Sequence, residues 1–389
     1  MGEKHNARPI AAPFWTPGVF VLLGLMAIAG LFIIGRYIGG LAAITNLNQT
    51  QPWGLWIGVD VGTGVALAAG GFTTAALAHI FGRHHYEAVT RPALLTAVLG
   101  YTFVAIGLTI DLGRSWAIWK PVFNWQPNSV LFEVAMCVVV YLTVLYIEFI
   151  PVVAEKFGEK FTALKRLDRS LGKVMWIFII AGVVLSCMHQ SGLGSLMLIA
   201  PTKVHALWYT PVLPLLFLLS AIAVGYPMVV FETTIATASL NLEDEMGIIG
   251  PLTRLTIFLL GFYLIIKIGD MFVRNTFGYL LEGSTQSWAF IVEVGMGVIV
   301  PWCMLMFPKI RKSRRWLFIA CALIVGGVAL NRINVFLVSY NPPFAQQSYF
   351  PSIGEIMITV GLISAIMFIY RVAITYLPVI SARQKEGLS

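Results

Sequence analysis

Charge is what this sequence lacks most: of its 389 residues 11% are Asp, Glu, Lys or Arg, against 58% hydrophobic. Soluble globular chains carry about 25% charged residues, and the mean hydropathy here is +0.83, so a soluble fold is excluded. Cysteine is also scarce. Cys137, Cys187, Cys303 and Cys321 all lie in apolar runs, without CxxC, CxxCH or ferredoxin-type spacing. The chain therefore has no ligand set for an iron–sulfur cluster or covalent haem of its own, and the thiols read as small buried hydrophobes. No basic stripe interleaved with stacking aromatics occurs, so the net charge of +8 does not point to nucleic acid.

Long apolar runs are what the sequence has in their place. A helix needs roughly 20 mostly apolar residues to cross a hydrocarbon core of about 30 Å, and ten such stretches follow one another. They are read at 15–38, 53–80, 93–116, 128–151, 171–191, 210–236, 252–275, 286–307, 315–338 and 353–379, separated by short connections bearing Gly, Pro, Asn or charge. The expected fold is an all-α polytopic membrane protein. A tail, 1–14, precedes one transmembrane domain, 15–379, and a second tail, 380–389, follows it. The first stretch is too long for a signal-peptide core, lacks a small-residue cleavage site, and is read as retained.

Short cytoplasmic loops carry the excess of Lys and Arg. One side collects Lys4, Arg8, Arg83, Arg91, six cations between 156 and 173, Arg254, five between 309 and 315, Arg383 and Lys385. The other side has Arg36, Arg114, Lys120, Lys203 and Arg274. Both termini are expected in the cytoplasm of a bacterial inner membrane, with the positive charge a signal of topology and lipid surface.

Ionisable residues inside a membrane are costly and therefore functional candidates. Asp60, Asp111, Arg114, Glu133, His189, Lys267, Asp270, Glu293, Arg332 and Glu355 fall in the expected outer half, the fifth stretch ending close to His189. Glu148, Glu232 and Arg371 fall toward the cytoplasm. Asp270 is expected to pair with Arg274 or Lys267. The second to fifth stretches echo the sixth to ninth: Asp111-Leu-Gly-Arg114 matches Asp270-Met-Phe-Val-Arg274, Glu133-Val-Ala-Met136 matches Glu293-Val-Gly-Met296, and His189 falls where Arg332 falls. Two four-helix bundles, 52–191 and 210–338, flanked by the first and last helices, are the architecture this implies.

Gln51-Pro-Trp-Gly-Leu-Trp-Ile-Gly-Val-Asp60 opens the second stretch, before Gly62, Gly64, Gly70 and Gly71. The glycines let helix backbones approach closely. Trp53 and Trp56 fit an interfacial belt. With Asp60 below them they also form an aromatic wall over a polar floor, which suits a planar quinone ring better than an ion. Ser186-Cys-Met-His-Gln-Ser-Gly-Leu-Gly-Ser195 gathers a histidine and a glutamine with small residues. Neutral imidazole can hydrogen-bond a quinone carbonyl and exchange a proton, and quinone reduction consumes two protons, for which Glu133 and Asp111 are the candidate donors. A bis-histidine haem is not expected: it needs two imidazoles at matching depth on facing helices. His79, His84 and His85 lie at one end, His189 and His205 toward the other, with His205 in a loop. A proton-coupled secondary transporter is the alternative, but its charges should cluster at the midplane beside interrupted helices.

At these residues the chain resembles the NrfD/polysulfide-reductase type membrane subunits, in particular the ten-helix membrane subunit of periplasmic nickel–iron hydrogenases. The resemblance runs through Pro52-Trp-Gly-Leu-Trp56 with Asp60, Arg91-Pro-Ala-Leu-Leu95, Gly100-Tyr101 and Thr109-Ile-Asp-Leu-Gly-Arg114. It continues through Asn128-Ser-Val-Leu-Phe-Glu133, Met188-His-Gln-Ser191, Lys203-Val-His205 and Phe231-Glu232. It implies a haem-free subunit that reacts with menaquinone, or ubiquinone. Its partners would be a periplasmic ferredoxin-like iron–sulfur protein and a hydrogenase or multihaem cytochrome c subunit, without which it is not catalytic. By the same resemblance Tyr101, Asp111, Glu133 and His189 serve the quinone site, with Trp53, Trp56, Asp60 and Arg114 lining it. Glu148 and Glu232 belong to a proton path from the cytoplasm, and the loops 274–286 and 340–352 touch the partner.

Overall fold

The computed structural model describes residues 7–10, 12–243, 245–345 and 348–381, with the side chain of His84 left aside. Lys4, Arg383 and Lys385, used above for orientation, lie outside the described residues, as do half of the first tail and most of the second.

Among the described residues ten helices are long and apolar enough to span a membrane: α1 Pro17–Gly39, α2 Trp56–Ile80, α3 Glu87–Asp111, α4 Val130–Phe157, α5 Met175–Leu198, α6 Leu213–Ser239, α7 Met246–Val273, α8 Thr285–Met306, α9 Arg314–Val338 and α10 Ile353–Tyr376. Successive helices run antiparallel. Helices α2–α5 close one four-helix bundle and α6–α9 a second, with α2 and α6 packed on each other between them. The long α1–α10 pair lies against α3 and α2. The chain is thus the all-α, two-bundle membrane protein expected. Burial follows this plan: 83% of the apolar core of α2 and 72% of that of α6 are covered by protein, against 11% for α1. The central helices therefore present small residues on nearly every face, whereas α1 presents Leu and Ile to lipid.

The glycines of α2 act as read. A Cβ on Gly71 would stand 2.6 Å from that of Ala97 on α3, and one on Gly70 would stand 3.2 Å from the Gly225 carbonyl oxygen on α6. In the second bundle Gly297 of α8 crosses Gly327 of α9 so closely that a Cβ on Gly297 would meet the Gly327 Cα at 2.5 Å. Backbone opposes backbone there, and nothing can rotate away. Gly327→Val is accordingly expected to force α8 and α9 apart and lower the thermal unfolding midpoint in detergent; an unchanged midpoint would show that the crossing yields freely.

Span ends shifted from expectation where glycine was read as a stop. The fifth helix does not end near His189 but continues through Gly192 and Gly194 to Leu198. The reason is tertiary: a Cβ on Gly194 would lie 2.7 Å from the Pro214 Cα and 2.9 Å from the Leu213 carbonyl oxygen at the start of α6. The glycine serves a helix contact rather than a turn. His189 therefore sits nine residues, about 14 Å, inside the helix end and belongs near the middle of the membrane rather than at its outer edge.

Candidate functional site

Call the end that carries the dense Lys and Arg the basic end, and the other the opposite end. The expected site residues divide into three groups.

The first lies at the centre of the α2–α5 bundle. Tyr101 on α3 and His189 on α5 are both fully buried, and the Tyr101 hydroxyl lies 3.2 Å from His189 Nδ1. Tyr141 on α4, also buried, packs edge-on against Tyr101 with ring centroids 4.5 Å apart. Ser186 and Gln190, buried on α5, complete the cluster, the Gln190 side-chain amide donating to the Val65 carbonyl at 2.9 Å. Two of its polar atoms, His189 Nε2 and Gln190 Oε1, have no hydrogen-bond partner among the described residues, whereas the Ser186 hydroxyl stands beside those of Tyr101 and Tyr141. In hydrocarbon each such group costs several kcal/mol, so two on adjacent residues mark a place built to meet something polar. Tyr141 was not singled out from sequence, and Ser186 and Gln190 were noted there only as neighbours of His189 in one segment. The signal that could have found them is spacing: Gly182, Ser186 and His189 share one face of α5, as Cys137, Tyr141, Leu145 and Glu148 share one face of α4.

Glu133 and Glu148 bracket this cluster along α4. Glu133, in the first turn, is exposed and stands eight residues, about 12 Å, above Tyr141 at the opposite end. It is not part of the buried cluster. Glu148 lies seven residues below Tyr141. It faces α5 where Gly182 leaves it room, since a Cβ there would be 2.6 Å from Glu148 Oε1. Glu232 on α6 instead faces Thr96 of α3 and Tyr370 of α10, and no hydrogen bond among the described residues links the two glutamates.

The second group is displaced toward the flanking pair. Asp60 accepts from the Thr359 hydroxyl of α10 at 3.0 Å, and Asp111 lies near Glu355 and Arg36. Buried Trp56 donates Nε1 to the Glu355 carbonyl at 3.2 Å, while the Glu355 carboxylate receives the Asn46 amide at 3.1 Å and the Tyr349 hydroxyl. Trp53 turns to α9, stacking on Phe336 and Tyr340 at 5.8 and 6.5 Å. Arg114 is exposed, and no ion pair joins it to Asp111. Sequence thus placed these residues at one depth; the fold separates them around the circumference of α2 and α3.

The third group fills the α6–α9 bundle. Lys267 pairs with Glu293 at 2.5 Å, and the Glu293 carboxylate also accepts from Trp208 Nε1 at 2.8 Å, Asn331 at 2.7 Å and Asn334 at 2.8 Å. Arg332, the counterpart of His189, is fully buried over the Phe217 ring at 3.7 Å and donates to the Phe217 carbonyl and Ser220 Oγ. Asp270 pairs with Arg274 at 2.6 Å, not with Lys267. Two water-sized cavities of about 10 Å³ each lie here, lined in common by Tyr263 and Asn331. Here the buried carboxylate is saturated, in contrast to the unpartnered atoms of the first bundle.

Residues 43–343 match the family model described as polysulphide reductase, NrfD. A protein of Nitratidesulfovibrio vulgaris is 37% identical over 376 residues, 94% of this chain and 95% of its own. The probable Ni/Fe-hydrogenase 2 b-type cytochrome subunit of Escherichia coli is 34% identical over 384 residues, 97% of this chain and 96% of its own. The integral membrane subunit of a menaquinone reductase from N. vulgaris is 24% identical over 395 residues, 94% and 91%. The E. coli name includes a b-type cytochrome. Among the described residues, however, His189 is the one histidine deep within a span; His79 and His85 are exposed at the basic end and His205 lies in a loop.

Proposed function

The chain belongs to the polysulphide reductase NrfD family, and from that premise we propose that it is the quinone-interacting membrane subunit of a respiratory redox complex. In this reading the basic end faces the cytoplasm of the inner membrane and the opposite end carries the soluble redox partner, an iron–sulfur protein with a hydrogenase or a multihaem cytochrome c. The names of the relatives, one a hydrogenase subunit and one a menaquinone reductase subunit, support that class of partner and the choice of menaquinone. The observation that carries the proposal is the pair of unpartnered buried polar atoms, His189 Nε2 and Gln190 Oε1, beside the Tyr101–His189 contact.

Menaquinone supplies two-electron, two-proton chemistry at a pair of ring carbonyls. His189 offers Nε2 to such an oxygen while its Nδ1 is held by Tyr101, which fixes the imidazole and leaves it able to pass a proton. Gln190 and Ser186 add polar contacts on the same helix. Glu133 exchanges protons at the opposite end. Glu148, with Ser186 and Tyr141 between it and the Tyr101–His189 pair, serves a route from the basic end, with Glu232 on a separate branch. Moving a charge across 100 mV is worth about 2.3 kcal/mol, so the route taken decides how much energy is conserved.

The test is the complex isolated through a tag on this chain, carrying Glu133→Gln. Soluble redox subunits and bound quinone should accompany both parent and variant, and the variant should lose quinone turnover with its subunits intact. Full turnover would remove Glu133 from the mechanism. A chain that purifies alone, without quinone, would favour a proton-coupled transporter instead.

A further inference from the structure

Between α4 and α5 the chain forms a short helix, Thr162–Leu171, that has no part in the site described above. Its sequence, Thr-Ala-Leu-Lys-Arg-Leu-Asp-Arg-Ser-Leu, divides cleanly at 100° per residue. Leu164, Leu167 and Leu171 fall on one side; Lys165, Arg166 and Arg169 fall on the other. Leu164 and Leu171 are half-buried, whereas Leu167 and the preceding Phe161 are exposed at 45% and 59%. Residues 156–173 hold six cations against two acids, Glu159 and Asp168. None of Lys165, Arg166, Arg169 and Lys173 has an ion pair or side-chain hydrogen bond among the described residues. Nearby, Glu155 is taken by Arg91 of α3 at 2.8 Å.

Position decides what this surface meets. Helix α4 is 28 residues long, about 42 Å, and so exceeds a hydrocarbon core of about 30 Å enough to leave Phe157 among the headgroups. Four residues join it to the short helix, and three more lead to α5, where Trp176 is 62% exposed. The helix is thereby confined to the membrane boundary. Its apolar edge of Phe161 and Leu167 is directed to the acyl chains' upper part, and its unpaired cations lie where lipid phosphates are. A basic amphipathic helix of this kind binds anionic surfaces through both terms at once.

We infer that Thr162–Leu171 and its flanking cations form a binding surface for anionic phospholipid headgroups, pinning the α4–α5 hairpin at the basic end. The inference does not depend on the redox reading: it stands or falls on lipid contact alone.

The experiment reconstitutes the full chain in nanodiscs of phosphatidylcholine, with or without phosphatidylglycerol, and follows amide hydrogen exchange over residues 158–174. Phosphatidylglycerol should slow exchange in this segment by about tenfold, an effect that weakens as salt is raised, and should leave α6 unchanged. The variant Lys165→Gln/Arg166→Gln/Arg169→Gln should lose the phosphatidylglycerol dependence. Phe161→Ser/Leu167→Ser should weaken protection in both bilayers while the lipid dependence persists. Equal exchange in the two bilayers, or dependence that survives the triple Gln variant, overturns the inference. Protection that arises only when a soluble subunit is present overturns it too, because the basic face would then belong to a protein interface.

Discussion

Glu293→Ala is expected to deprive the chain of most of its folded population, because it leaves the Lys267 ammonium buried with no counter-charge. Breaking a buried ion pair from one side costs about 3–5 kcal/mol, and here Trp208, Asn331 and Asn334 lose their acceptor as well. That is a large fraction of the whole stability of most domains, about 5–15 kcal/mol. Thermal unfolding in detergent, followed by tryptophan fluorescence, reads the loss. The double variant Lys267→Met/Glu293→Leu, which removes both charges and keeps the volume, should recover much of it. A single variant that melts with the parent would mean that Lys267 finds water or Asp270 at no cost, and the second bundle would lose its assignment as a closed, structural core.

The second large effect is on turnover. His189→Ala removes the one histidine deep within a span among the described residues, and with it the imidazole partner of Tyr101. If His189 exchanges a proton with bound quinone, turnover should fall roughly a hundredfold to ten-thousandfold, the usual contribution of a positioned acid–base group. His189 lies in a packed interior, so the control matters: subunit content and melting temperature must match the parent, and Tyr101→Phe, which keeps the ring, should show a smaller loss in the same direction. Parental turnover in a correctly assembled His189→Ala complex would move the quinone site elsewhere, the Asp60–Asp111 group beside α10 being the next place to look.

How much of this was legible beforehand depends on the kind of signal. Fold class and helix number follow from apolar run length, since a membrane leaves a chain few other ways to satisfy its backbone, and the two bundles followed from short internal echoes such as Glu133-Val-Ala-Met and Glu293-Val-Gly-Met. Those echoes hid a difference that only packing reveals. Glu133 is exposed at a helix start, while Glu293, its counterpart, is sealed among Lys267, Trp208 and two asparagines. Sequence likewise could not tell the Gly192–Gly194 stretch from a helix stop, because its cause lies on α6. Tyr141 was passed over since, alone in an apolar run, a tyrosine carries no sign of what its polar end faces, and Gln190, noted beside His189, carried no sign of an unmet oxygen.

The sequence by itself determined the membrane class, the ten spans and the charge asymmetry between the two ends, because hydropathy is a local property. Only the tertiary structure decided azimuth, that is, which neighbour each residue faces around its helix. Asp60 and Asp111 turn to α10, Tyr101 and His189 turn to each other, and Glu293 turns to Lys267. Azimuth is set by which helices touch, through contacts between residues tens to hundreds of positions apart, and no local pattern encodes it.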